Sequence, residues 1–128
     1  MPRLQLAGLA FVFAWFFFGG IGHFVATAFF VSIVPPWVPE PVLAVYMSGV
    51  LEICGALGLL LPALRRAAGL GLFLLTLAVT PANVHMWLHP ELFPDFPPAL
   101  YGIRLLIQAG LLAVIWFAAV RPLPTRSA

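Results

Sequence analysis

Three side chains that can carry charge lie deep within an otherwise apolar sequence: His23, Glu52 and Arg104. A carboxylate surrounded by hydrocarbon costs about 2.5–3.5 kcal/mol or more, so Glu52 should face protein and have a partner. Arg104 is the only cation within an apolar segment, and its guanidinium offers a bidentate match to a carboxylate. His23 could donate a hydrogen bond to Glu52 or titrate beside it. These residue types predict a catalytic group of Glu52, His23 and Arg104, with Glu52 and Arg104 as an ion pair.

The composition requires a lipid environment around this group. Of 128 residues, 63% are hydrophobic and only 8% are charged, and the mean hydropathy is +1.10. A soluble domain carries roughly 25% charged residues because it must solvate its whole outside. The length allows one domain, residues 1–128. The single cysteine, Cys54, excludes an internal disulfide and a CxxC redox pair.

Four apolar segments predict transmembrane helices at about residues 4–34, 43–62, 67–88 and 99–120. Each reaches the ~20 residues that a span needs. The first is longer, so it should tilt or run on into the interface, and it is too long for a signal peptide. Pro81 should kink the third helix. The predicted fold class is all-α, an antiparallel four-helix transmembrane bundle.

The arginines predict the orientation of this bundle. With four spans, the basic residues outside the spans all fall on the side of the two termini, and the other two links contain no lysine or arginine. These basic residues are Arg3, Arg65, Arg66, Arg121 and Arg126. The positive-inside rule then makes both termini cytoplasmic, as in a multi-pass protein of the bacterial inner membrane. So few and scattered arginines exclude a nucleic-acid partner.

The uncharged polar residues of the spans are also unevenly distributed. Counted inward at ~1.5 Å per residue, nearly all of them lie in the outer half, and on each helix they share one face. The side chains predicted to bind a ligand there are Ser48, Asn83, Gln108, Tyr101 and Trp87. The competing explanation is that such residues only join helices, at about 0.6 kcal/mol each.

Two histidines and three glycines have simpler explanations. His85 and His89 are spaced as metal ligands on a helix, but their only acidic neighbour is Glu91, so no metal site is predicted. His85 should face the interface or a second subunit, and the sequence is therefore compatible with a homo-oligomer. The glycines of the second helix, Gly49, Gly55 and Gly58, are predicted to be close-packing positions.

Short elements along nearly the whole chain support a family assignment. They are Gly20–Phe24 (GIGHF), Val34–Pro36 (VPP), Ser48–Ala56 (SGVLEICGA), Pro81–Asn83 (PAN) and Arg104–Gln108 (RLLIQ). In their order and spacing the chain resembles the DoxX and DoxX-like family of small four-helix membrane proteins. The resemblance implies a subunit of a membrane redox complex, such as a thiosulfate:quinone oxidoreductase, or a factor that assists membrane-protein assembly. No flavin, haem or metal motif accompanies it.

The leading functional hypothesis is a quinone- or lipid-like-ligand-binding subunit of a membrane oxidoreductase, with quinone as its cofactor and a larger redox protein as its partner. Quinone reduction needs protons at two carbonyl oxygens, which a His/carboxylate pair in a low-dielectric site can supply. One alternative is a small proton-coupled exporter, which also needs a membrane glutamate. Another is a non-catalytic assembly partner of a membrane protein. Whether the chain is an enzyme stays open.

Overall fold

The computed structural model describes residues 1–122, in which all regular structure is helical. The helices are α1 (Arg3–Val25), α2 (Thr27–Ser32), α3 (Pro41–Leu59), α4 (Arg65–Leu88) and α5 (Pro98–Ile115). A 3-10 turn, Pro90–Leu92, follows α4, and a π-helical turn, Trp116–Val120, continues α5. Residues 1–122 contain no strand, as the all-α prediction requires. Arg126, the last of the predicted basic residues, lies outside this part of the chain.

Within residues 1–122, four helical segments are long and apolar enough to cross a membrane. They are Arg3–Val25, Pro41–Leu59, Arg65–Leu88 and Pro98–Val120, with mean hydropathies of 1.7 to 2.1. Their outward side chains are large and apolar: Leu4 is 73% exposed and Leu106 is 74% exposed. Water would make such a surface an aggregation site, whereas lipid is its natural solvent. Length and composition therefore indicate a multi-pass membrane protein.

The prediction of a single helix over residues 4–34 is wrong, because this segment forms two helices, α1 and α2. The helical backbone breaks at Ala26, where φ is −117° and ψ is 43°. The Thr27 hydroxyl donates to the carbonyl oxygens of His23 at 2.8 Å and Phe24 at 3.1 Å, a local bond that competes with the helical ladder. Beyond the break, α2 packs against α3.

The apolar core gathers the start of α1, the end of α3, the start of α4 and the π-helical turn. Here α1 packs on α3, α3 on α4, and α4 on α5 and its π-helical extension. The buried members of this apolar cluster are Leu9, Val12, Phe16, Ala56, Leu59, Leu72, Leu111, Ile115, Ala118, Ala119 and Val120. One polar side chain beside it, Gln5, is buried and donates to the Ala118 carbonyl oxygen at 3.3 Å.

The glycines of α3 are close-packing positions, as predicted. A Cβ at Gly55 would lie 2.5 Å from Leu72 Cδ2, and a Cβ at Gly58 would lie 2.8 Å from Ala68 Cβ. Gly49 faces α1 instead, where a Cβ would lie 2.8 Å from His23 Cβ. Small residues thus bring α3 close to both of its neighbours, since in lipid van der Waals packing must supply much of the attraction between helices.

Candidate functional site

A cavity of about 440 Å³ lies between the helices, next to the link that follows α2. Its walls are mainly apolar and aromatic, and Phe16 and Leu111 of the apolar cluster form part of them. Seven polar or charged side chains reach this cavity: His23, Ser48, Glu52, Thr76, Asn83, Arg104 and Gln108. The size and the mixture of apolar walls with a few polar groups are typical of a small-molecule site. Six of the eight predicted site residues therefore line one cavity.

His23 of α1 and Glu52 of α3 face each other across the interface of these helices. The distance from His23 Nδ1 to Glu52 Oε2 is 3.4 Å, and their side chains are only 11% and 18% exposed. His23 Nδ1 is closer to the Gly19 carbonyl oxygen, at 2.7 Å. A carbonyl oxygen can only accept, so this contact assigns the proton to Nδ1 and directs it to Gly19. Among residues 1–122, Glu52 Oε2 is buried without a hydrogen bond, because the histidine contact is near but poorly aligned.

The predicted ion pair between Glu52 and Arg104 is wrong. Both residues line the cavity, but within residues 1–122 no nitrogen of Arg104 comes within 4.0 Å of a carboxylate oxygen. The reason is the order of the helices: α3 packs on α1 and α4, whereas α5 packs on α4 and α1. Glu52 and Arg104 thus belong to helices that are not close neighbours, and the cavity separates them.

A chain of hydrogen bonds joins α4 to α5 on another wall. Asn83 Nδ2 donates to Gln108 Oε1 at 2.5 Å, and Gln108 Nε2 donates to the Thr80 hydroxyl. Thr80 donates in turn to the Thr76 carbonyl oxygen at 2.9 Å. Asn83 and Gln108 line the cavity and also join two helices, and their binding of a ligand stays a prediction. Ser48 lines the cavity too, with its hydroxyl bonded to the Val45 carbonyl oxygen at 3.0 Å.

Tyr101 and Trp87 do not reach the cavity, in contrast to the prediction. Tyr101 is 2% exposed, and its hydroxyl donates to the Phe93 carbonyl oxygen in a small cluster with Met86. Trp87 is 52% exposed, and its indole lies beside Gly102 of α5. Tyr101 shares a helix face with Arg104, but its ring packs edge-on against Phe93, which follows the 3-10 turn after α4.

Phe30 is a site residue that the sequence did not reveal. Its ring stacks on the imidazole of His23 with a centroid distance of 4.1 Å, and it forms part of the cavity wall. It reaches this position because the chain bends at Ala26 and returns α2 toward α3. The available signal was Thr27, whose side chain can bond the preceding turn, within a segment otherwise too uniform in its apolar residues to show a break.

His85 and His89 form a separate aromatic group. Their ring centroids are 4.9 Å apart, and Trp37 meets His85 edge-on at 4.6 Å. His89 Nδ1 lies 3.4 Å from Glu91 Oε1. Between residues 1 and 122, no three histidine, cysteine, aspartate or glutamate side chains are grouped as metal ligands would be.

Comparison with known proteins identifies a family but no activity. The family model that matches, over residues 12–120, is described as a domain of unknown function, DUF8561. The resemblance to DoxX is therefore wrong: the short elements that suggested it are helix-packing glycines and isolated polar residues, which unrelated membrane helices share. No curated protein and no solved structure matches the chain.

Proposed function

We propose that this chain, which belongs to the DUF8561 family, binds an amphipathic, quinone- or lipid-like ligand in the cavity between its membrane helices. The observation that carries the proposal is Glu52 Oε2, which is buried against the cavity without a hydrogen bond. A buried polar atom without a partner is costly, and a ligand that donates to it would remove that cost. The apolar walls suit the hydrocarbon part of such a ligand.

In the membrane, we propose an antiparallel four-helix bundle with both termini cytoplasmic. The apolar cluster supports this arrangement, since it joins the starts of α1 and α4 to the ends of α3 and α5. The arginine bias supports the orientation. The cavity would then open toward the outer leaflet, because the link that lines it contains no basic residue.

If the ligand is a quinone, His23 and Glu52 are the groups that could exchange protons with its head group. Because His23 Nδ1 donates to Gly19, each group would exchange its own proton with the head group, Glu52 at its carboxyl oxygens and His23 at Nε2. In this form of the proposal, the chain acts as a subunit of a membrane oxidoreductase, and the electrons come from a redox partner. The redox role is supported by the pair of His23 and Glu52.

The test is ligand binding by purified protein in detergent, with ubiquinone-2 and short-chain lipids as probes. Glu52→Gln and His23→Ala should each weaken binding of the probe that the native protein takes up. Glu40→Gln and His89→Ala are the matched controls, because both side chains are exposed and outside the cavity. Failure of every probe to bind the native protein would refute the proposal, and so would binding unchanged by both site variants.

A further inference from the structure

We infer that the head group of the ligand carries an anion and, close to it, an N–H or O–H donor. This inference rests on the proposed function and specifies its ligand class. The inference is based on two charged residues that line the cavity from different helices, Arg104 and Glu52. Within residues 1–122 they do not form an ion pair with each other.

Arg104 requires an anion as its partner. Its side chain is half-buried on α5 and lines the cavity, and among residues 1–122 it has neither an ion-pair partner nor a side-chain hydrogen bond. A guanidinium within a membrane span is retained at a high cost unless an anion or several acceptors surround it. Phosphate and carboxylate groups match its planar fork.

Glu52 requires a hydrogen-bond donor as its partner. Its Oε2 atom is buried, and the nearest nitrogen, His23 Nδ1, already donates to Gly19. An ionised carboxylate only accepts hydrogen bonds, so in that form its missing partner is a donor such as an ammonium or hydroxyl group. No other cation of the described chain lines the cavity to fill this position.

Most other polar groups of the cavity already bond within the protein. Asn83, Gln108 and Thr80 are bonded to one another, and Ser48 and Thr76 to backbone carbonyl oxygens. A neutral quinone would offer acceptors to Arg104 but no donor to an ionised Glu52. A head group with both an anion and a donor would pair with Arg104 and Glu52 at once. The hydrocarbon part of the same ligand would pack against the apolar walls.

Four probes separate the two requirements, each titrated against full-length protein in detergent with native mass spectrometry as readout. Dihexanoyl phosphatidylethanolamine has both phosphate and ammonium, and dihexanoyl phosphatidylcholine has the phosphate but no N–H donor. Dihexanoylglycerol has a hydroxyl but no anion, and ubiquinone-2 has neither. We expect phosphatidylethanolamine to bind at least about tenfold more tightly than each of the others, a difference of about 1.4 kcal/mol.

Variants then assign each requirement to its residue. Arg104→Gln should lower the affinity for both phospholipids about tenfold and leave that for dihexanoylglycerol unchanged, while Glu52→Gln should abolish the preference for phosphatidylethanolamine over phosphatidylcholine. Arg66→Gln, an exposed arginine outside the cavity, is the charge control. Arg104→Lys keeps the charge but not the planar fork, so it should lower the affinity for both phospholipids by less than Arg104→Gln does, and it replaces Arg104→Gln if that variant does not fold.

The outcomes distinguish this inference from the proposed function. If ubiquinone-2 or dihexanoylglycerol binds as well as phosphatidylethanolamine, the ligand class is wrong and a lipid-like ligand still stands. If phosphatidylcholine equals phosphatidylethanolamine in the native protein, the donor requirement is wrong. If none of the four probes binds, the proposed function fails as well.

Discussion

Gly20 and Gly49 bring the backbones of α1 and α3 into direct contact. A Cβ at Gly20 would lie 2.9 Å from the Gly49 carbonyl oxygen, and a Cβ at Gly49 would lie 3.2 Å from the Gly20 carbonyl oxygen. His23 and Glu52 each follow this crossing by three residues, on the two helices that it joins. The close approach therefore sets the 3.4 Å separation between the imidazole and the carboxyl group.

Gly49→Ala should destabilise the protein by about 1–3 kcal/mol, the usual cost of overpacking. The new methyl group would lie 2.8 Å from His23 Cβ and 2.9 Å from the Phe24 ring, so α1 and α3 must separate. Gly110→Ala is the control, because nothing lies within 4 Å of its Cβ position. Thermal unfolding in detergent should show a lower midpoint for the first variant only. Equal midpoints would contradict the contact.

Tyr101→Phe should cost about 1–2 kcal/mol, because it leaves the Phe93 carbonyl oxygen without its donor in a buried cluster. Tyr46→Phe removes the same atom from an exposed tyrosine that stacks on Phe24, and it should change the free energy of unfolding by less than about 0.5 kcal/mol. Chemical unfolding of both variants in mixed micelles gives the comparison. A similar loss in both would mean that the hydroxyl bond to Phe93 contributes nothing.

Asn83 and Gln108 should be energetically coupled. A double-mutant cycle with Asn83→Ala and Gln108→Ala should give an interaction free energy of about 0.6–1.7 kcal/mol, the range of hydrogen bonds between membrane helices. The bond from Asn83 Nδ2 to Gln108 Oε1 is lost in either single variant, so the second substitution should cost less than it does alone. Strictly additive losses would show that the two amides do not act together.

Cysteine labelling should locate the two sides of the protein. In a Cys54→Ser background, which has no other cysteine, Glu91→Cys should react with a membrane-impermeant maleimide in intact cells. Arg66→Cys should react only after the cells are broken, because the arginine-rich side is expected to be cytoplasmic. Both wild-type side chains are exposed, so access is not limited by packing. The reverse pattern would invert the proposed orientation.

The four long helices followed from composition, because a chain this apolar has few ways to satisfy its backbone in lipid. The gathering of Glu52, His23, Asn83 and Gln108 at one cavity followed from helix periodicity and depth. The pairing of Glu52 with Arg104 did not, because opposite charge says nothing about which helices are neighbours. That order is decided by packing over whole helices, such as the contacts of Gly49 and Gly55.

The sequence did not predict the break at Ala26 or the π-helical turn Trp116–Val120 either. Each is a local departure within a segment whose residues all favour burial or lipid, so hydropathy does not register it. The family resemblance failed for a related reason. Short glycine and polar elements answer the general needs of packed membrane helices, and they carry little information about descent.

The apolar cluster makes the cavity blind at one end. Val12, Leu59, Ala118 and Ile115 have no exposed surface, and Phe16 and Leu111 close the space above them. A molecule that enters must leave by the way it came. If the proposed ligand binds here, we expect it to exchange with one leaflet, because translocation would require the whole cluster to come apart. The proposed binding would then be capture and release on a single side of the membrane.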